Sequence, residues 1–351
     1  MTGNATRAGS SVTGSTPWAG SPLRLLAPPL LVVAAVAPPF LTGPYAISTL
    51  TQVLAFSLMV MSMVLLMGVA GMPTIGQAGF FGVGGYATGL LASRLTTNSP
   101  LLLLISAVAG MAVAALTGWL LVRVRGTYLL MLTLAIGELL ALAAIARVTL
   151  TGGSDGLANI PTLTLVPGVE LRHVAVVYWY IVGAVLILAA LIALLIRSPF
   201  GAALRGIRDN EPRMRALGYS TARYKYAAFC VSGGFAGMAG SLWVTQTLFI
   251  APADMSFHAS ALALLALIVG GAQSLWGAVA GSALIIVVQN MLPISLQGLG
   301  PVVLGAVLIL VVYLLPDGIS GLATWRSDLA ALINRRRGGG PAARRGGTER
   351  T

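Results

Sequence analysis

Long apolar runs separated by short polar segments occupy most of the chain. Runs near 24–41, 46–70, 99–122, 127–147, 176–196, 226–250 and 299–315 match the helix of about 20 residues that crosses roughly 30 Å of hydrocarbon. Three more, 73–93, 258–273 and 277–293, are short or interrupted by glycine. Counting all ten, the pattern predicts an all-α fold, a polytopic transmembrane helix bundle of about ten spans over residues 23–322. Residues 1–22, rich in Gly, Ser and Thr, read as a disordered tail, and 323–351 as a basic tail. The N-terminal segment has the outline of a signal peptide. Pro38 and Pro39, however, stand where small cleavage-site residues belong.

One polar segment breaks the apolar pattern. Residues 197–225, RSPFGAALRGIRDNEPRMRALGYSTARYK, hold seven of the 21 basic residues, including the sole lysine, Lys225. Flanked by apolar runs, it is a loop at a membrane surface, and its charge marks the cytoplasmic side. With ten spans and the N-terminus in the cytoplasm, the Arg123/Arg125 turn, this loop and the C-terminal arginines all fall inside. An even count places both termini there. Were 73–93 a re-entrant loop, Arg123 and Arg125 would move outside, so the charges favour a full crossing.

Composition agrees and narrows the function. The chain is 57% hydrophobic and 9% charged, where soluble domains carry about 25% charge. The net charge of +12 sits between apolar runs and in the tail, not among stacking aromatics, which argues against nucleic-acid binding. Cys230 is the only cysteine, and His173 and His258 lack neighbours at ligand spacing, so no metal site is expected. HExxH, GxSxG and GxxxxGK[ST] are all absent. No catalytic constellation or ATP site of the chain's own is expected, and no cofactor.

Glycine supplies the next signal. Gly76, Gly79, Gly82, Gly85 and Gly89 recur at three- and four-residue spacing, as do the pairs Gly233/Gly237 and Gly277/Gly281. Small residues on one face let helices approach closely. The other reading is a broken helix lining a translocation pathway, which would bring Gln77, Phe80 and Phe81 to it. A split into five and five spans pairs the glycine-rich third span with the eighth, and an odd number per half makes the halves inverted. Glu138 is the one carboxylate well inside a span. Burying it ionised near the bilayer centre costs at least about 2.5 kcal/mol, so it meets protein, water, a proton or a substrate ammonium.

Within the 197–225 loop, Asn210 suits a helix N-cap, Glu211 and Pro212 its first turn, and Gly218 a left-handed stop. Ser198-Pro199-Phe200-Gly201 precedes a second helical stretch, Ala202 to Arg208. Met214 and Leu217 stand on one face among arginines, as a docking surface requires.

These residues carry a resemblance. SPFGAALRGIRDNEPRMRALGYSTARYKYAAFCVSGGFAGMAGSLW is similar to the cytoplasmic-loop signature of the M-type (Liv) permease subunits of branched-chain amino-acid ABC importers. GQAGFFGVGGYATGLL, RVRGTYLLMLTLAIGELL, TGGSDGL, GGAQSLWGAVAG and LPDGISGL resemble further blocks of that family in the same order, over most of 68–322. The resemblance implies a permease subunit in a bacterial cytoplasmic membrane. Its implied partners are a second homologous permease, two ATP-binding subunits that bind the ATP, and an extracytoplasmic substrate-binding protein. Glu211, Arg213, Met214, Ala216, Leu217 and Gly218 would then be the coupling element. The general importer motif places Gly six residues after Glu, whereas here Gly218 is seven after Glu211. Urea and short-amide permeases share very similar blocks. An ATP-independent secondary transporter or channel is the rival class, favoured by Glu138 and inverted halves, and a membrane scaffold the third.

Overall fold

The structure, a computed structural model, describes residues 43–295 except 125, 167 and 168, together with Gly305. Both tails, the run at 24–41 and, apart from Gly305, the run at 299–315 lie outside the described residues. Helix α1 (Pro44–Met63) continues as a wider π-helical segment, Val64–Val69. There follow α2 (Gln77–Arg94), α3 (Ser99–Leu121), α4 (Thr127–Ala146) and the single turn α5 (Val148–Thr151). A small antiparallel hairpin, β1 (Thr164–Val166) and β2 (Val169–Glu170), precedes α6 (Val174–Arg197). The polar island forms α7 (Pro199–Asp209) and α8 (Glu211–Ala216). Then come α9 (Thr221–Thr247), α10 (Phe257–Gly270) and α11 (Leu275–Ser295).

Five helices among the described residues are long and apolar enough to cross a membrane: α1 with its π-helical extension, α3, α4, α6 and α9. Two form the centre. In α1 and α9, 83% of the most apolar window is buried, against 28% in α3 and α4 and 33% in α6. The outer helices bury a stripe of mostly small residues. In α4 the stripe is Leu129, Thr133, Gly137, Ala141 and Ala144, while Tyr128, Met131, Leu139 and Leu142 face outward. Hydrocarbon offers no hydrophobic drive between helices, so close backbone packing on such stripes holds a bundle together.

The central contacts run through glycine. A Cβ at Gly84 of α2 would stand 2.1 Å from the Gly237 carbonyl oxygen of α9, and one at Gly237 would stand 2.4 Å from that of Ser106 on α3. Gly233 faces Ala114, Gly79 faces Gly137, and Gly76 lies against the Thr133 carbonyl. Side chains fill the spaces opposite Gly82 (Met255), Gly85 (Ile250 and Val244) and Gly89 (Leu157 and Ile160). Between α10 and α11 the approach is just as tight, with Gly277 against the Gly270 carbonyl and Gly281 against that of Ala266.

Two of the short runs are entered through helix breaks, from opposite ends. At the end bearing α7 and α8, the chain turns at Gly71 (φ 66°) and residues 70–76 return into the bundle without helix. There the Ile75 N–H donates to Thr133 Oγ1 at 3.2 Å, and α2 begins. At the far end, α9 stops at Leu248 (φ 51°), and the chain passes through the 3-10 turn Pro252–Met255 before α10 opens at Phe257. The Phe257 N–H donates to Glu138 Oε1 at 2.5 Å. In a membrane protein, non-helical backbone is tolerated where it is buried in protein or lines a cavity. Thr133 and Glu138 both lie on α4, so one helix touches both breaks.

Candidate functional site

The sequence builds α7 and α8 by local rules. Ser198 Oγ accepts from the Gly201 N–H at 3.4 Å, with Pro199 in the first turn, and buried Gly201, Ala203, Leu204 and Ile207 seat α7. Asn210 Oδ1 accepts from the Arg213 N–H at 3.0 Å, capping α8. Gly218 (φ 87°) ends it, and the Tyr219 N–H closes onto the Met214 carbonyl at 3.1 Å. Positive φ at that stop is why glycine stands there.

The predicted coupling residues divide into two groups. The Glu211 side chain, only 14% exposed, accepts from Lys225 Nζ at 2.8 Å, Arg215 Nη2 at 2.7 Å and Thr221 Oγ1 at 3.1 Å. It is engaged inside the loop, fastening α8 to the start of α9. Met214 turns toward α7, against Gly206. Arg213, Ala216, Leu217 and Gly218 are exposed, Leu217 by 65%, with Tyr219 beside it at 42%. Met214 and Leu217 therefore do not share one solvent-facing surface. The exposed residues here are the apolar Leu217 and Tyr219, near exposed Arg213, Arg215 and Arg223 in sequence, a mixture suited to a protein groove.

Sequence patterning did not single out Arg208. Its Nη1 donates to the Gly68 carbonyl, and its Nε to Asp209 at 3.3 Å. Its stem lies across Gly71, where a Cβ would stand 2.4 Å from Arg208 Cγ. A cavity of about 210 Å³ adjoins, lined by residues 70–73, the turn between α3 and α4, Ile207, Arg208, Glu211 and Lys225. No motif announces such a residue, because its partner is a backbone carbonyl 140 positions away.

The intramembrane residues occupy the interior. Gln77 is fully buried, and its Nε2 donates to Ser62 Oγ and Ser232 Oγ, each at 2.9 Å, joining α2 to α1 and α9. Phe80 meets Phe229 edge to face with centroids 5.4 Å apart, and Phe81 meets Trp243 at 6.0 Å. Glu138 accepts from the first N–H of α10, the position where a carboxylate complements the helix dipole. In the turn before it, Asp254 accepts from the Ala251 N–H at 2.9 Å. Among the described residues, no group of three His, Cys, Asp or Glu could hold a metal ion.

Comparison with known proteins matches the chain to one family. The model of the family described as branched-chain amino acid transport system / permease component matches residues 45–312. The chain is similar to the high-affinity branched-chain amino acid transport system permease protein LivM of Salmonella typhimurium. Identity is 29% over 316 residues, covering 82% of this chain and 73% of that protein. The Escherichia coli LivM is 28% identical over 312 residues, with the same coverage. The probable LivM of Methanocaldococcus jannaschii is 24% identical over 272 residues, 68% of this chain and 77% of that protein. No solved structure matches. With its family model spanning most of the chain, from the start of α1 past the end of α11, the protein belongs to the branched-chain amino acid transport permease family.

Proposed function

We propose that this chain is the membrane-spanning permease subunit of an ABC importer that carries branched-chain amino acids across a bacterial cytoplasmic membrane. The observation that carries the reading is a family match over the bundle together with a capped helix that exposes Leu217 among arginines at one end. Separate ATP-binding subunits supply the energy. Arg213, Ala216, Leu217 and Gly218 meet the ATPase groove, while Glu211 and Met214 hold the coupling element in shape. A second homologous permease completes the pathway, and a substrate-binding protein delivers the amino acid outside. Both termini are cytoplasmic, and the ten spans form inverted halves of five. The two helix breaks, entered from opposite ends, support that symmetry. Gln77, Phe80 and Phe81 beside one break, and Glu138 at the other, would line the pathway when the bundle rearranges.

The test is reconstitution with the partner subunits in liposomes. Leucine uptake that requires ATP is expected, without comparable uptake of urea. Leu217→Glu should leave the protein inserted and weaken the hold of the ATP-binding subunit by about 2 kcal/mol or more, roughly 30-fold. ATP-independent uptake, or full uptake by Leu217→Glu, refutes the reading.

A further inference from the structure

The exposed face of α8 is where force would enter; the structure also holds a route by which it could leave the loop. Gly68 lies at the end of the π-helical extension of α1, among the last carbonyls of a helix, which lack onward intrahelical donors. Arg208 supplies one from α7, placing a cation at the negative end of the helix dipole. Gly68 is also pressed against the second half of the bundle, since a Cβ there would stand 2.0 Å from the Ala272 carbonyl oxygen in the turn between α10 and α11. Three residues further on, Gly71 carries the Arg208 stem and makes the turn at the start of the non-helical stretch 70–76. A single side chain thus bears on the end of α1, on the start of one helix break and, through Gly68, on the turn after α10. The adjoining cavity separates α7 and α8 from the turn between α3 and α4, leaving room for the loop to move while Arg208 keeps its hold.

We infer that Arg208 is the positioning residue through which the 197–225 loop moves the 70–76 break: displacement of α7 is delivered to Gly68 and Gly71 and tilts the entry of α2. The inference rests on the coupling role proposed above. Arg208 is itself partly exposed, its side chain by 30%, but its guanidinium is committed to the Gly68 carbonyl and to Asp209 and is not counted in the docking face.

The test uses the reconstituted complex of full chain, second permease, ATP-binding subunits and binding protein. Arg208→Met keeps the apolar stem and removes the donor, and Arg208→Lys restores a donor. In Arg208→Met, the ATP-binding subunits should remain bound and hydrolyse ATP, while leucine taken up per ATP falls about tenfold, as for a lost charged hydrogen bond. Arg208→Lys should recover most of it. Unchanged uptake per ATP overturns the inference, and so does release of the ATP-binding subunits, which would make Arg208 a docking residue. A second measurement does not depend on transport. In a Cys230→Ser background, the maleimide labelling rate at Thr74→Cys, a buried position in the break, should change when ATP is trapped with vanadate. The added Arg208→Met change should abolish that response. A response that survives, or none in the parent, overturns the inference. Failure of the underlying reading is seen separately, as parent complexes without bound ATP-binding subunits or without ATP-driven uptake.

Discussion

Gly84→Ala and Gly183→Ala make the same chemical change in two helices, with opposite expected signs. At Gly84 the new methyl would meet the Gly237 carbonyl oxygen at 2.1 Å and its Cα at 2.4 Å. Both are backbone atoms that cannot swing aside, so α2 and α9 must part by more than an ångström. The contact is tight along its length, since a Cβ at Gly240 would stand 1.9 Å from the Phe81 carbonyl oxygen. Parting the helices also loosens the Phe80–Phe229 and Phe81–Trp243 ring contacts. Overpacking of this kind costs about 1–3 kcal/mol. A Cβ at Gly183 of α6 would meet nothing within 4 Å beyond its own helix, so alanine there adds only its helix preference, a gain of about 0.5–1 kcal/mol. The assay is the temperature at which half of the purified protein in detergent stays monodisperse, an operational measure because unfolding is irreversible. At about 1–2 °C per kcal/mol for a chain of 351 residues, Gly84→Ala should fall by a few degrees and Gly183→Ala should hold or rise. Equal shifts of one sign refute direct backbone contact between α2 and α9.

Two further substitutions probe the polar ties. Glu138→Gln keeps an acceptor for the Phe257 N–H and should cost roughly a few tenths of a kcal/mol, whereas Glu138→Leu removes the acceptor from an exposed hydrogen bond and should cost about 0.5–1.5 kcal/mol; equal losses in the same thermal assay would deny the bond its role. Lys225→Met leaves Glu211, 14% exposed, without its shortest interhelical ion pair. It should cost about 1–3 kcal/mol and speed amide exchange over 211–221, while Lys225→Arg restores protection. Unaltered exchange in Lys225→Met would remove the claim that this pair fastens α8 to α9.

The membrane class, the positions of the helices among the described residues and the two short helices of the loop were legible along the chain, because each depends on near neighbours. Asn210, Gly218 and Ser198 act within a few residues of themselves. The orientation of α8 was not. Periodicity put Met214 and Leu217 on one face, but a six-residue helix packed against α7 buries by contact, and Gly206 left the space that Met214 fills. Glu211 looked available to a partner until Lys225, 14 positions later, was brought to it by the turn at Gly218.

The run at 73–93 shows the same division within one element. Its glycine spacing announced close packing. Its low apolar content left open how it enters the bundle, and the answer lies in partners remote in sequence: Thr133 for Ile75, Ser62 and Ser232 for Gln77.

By itself the sequence determined that this is a multi-pass membrane protein, which of the described segments become helix, where the small faces lie and which loop carries the charge. These follow from transfer of side chains between water and hydrocarbon and from hydrogen bonds that close within a turn. Only the tertiary structure decided that α1 and α9 are central, that α4 reaches both helix breaks, and that Arg208 grips the end of α1. Those outcomes depend on which backbones approach each other in three dimensions, and glycine permits an approach without naming the partner.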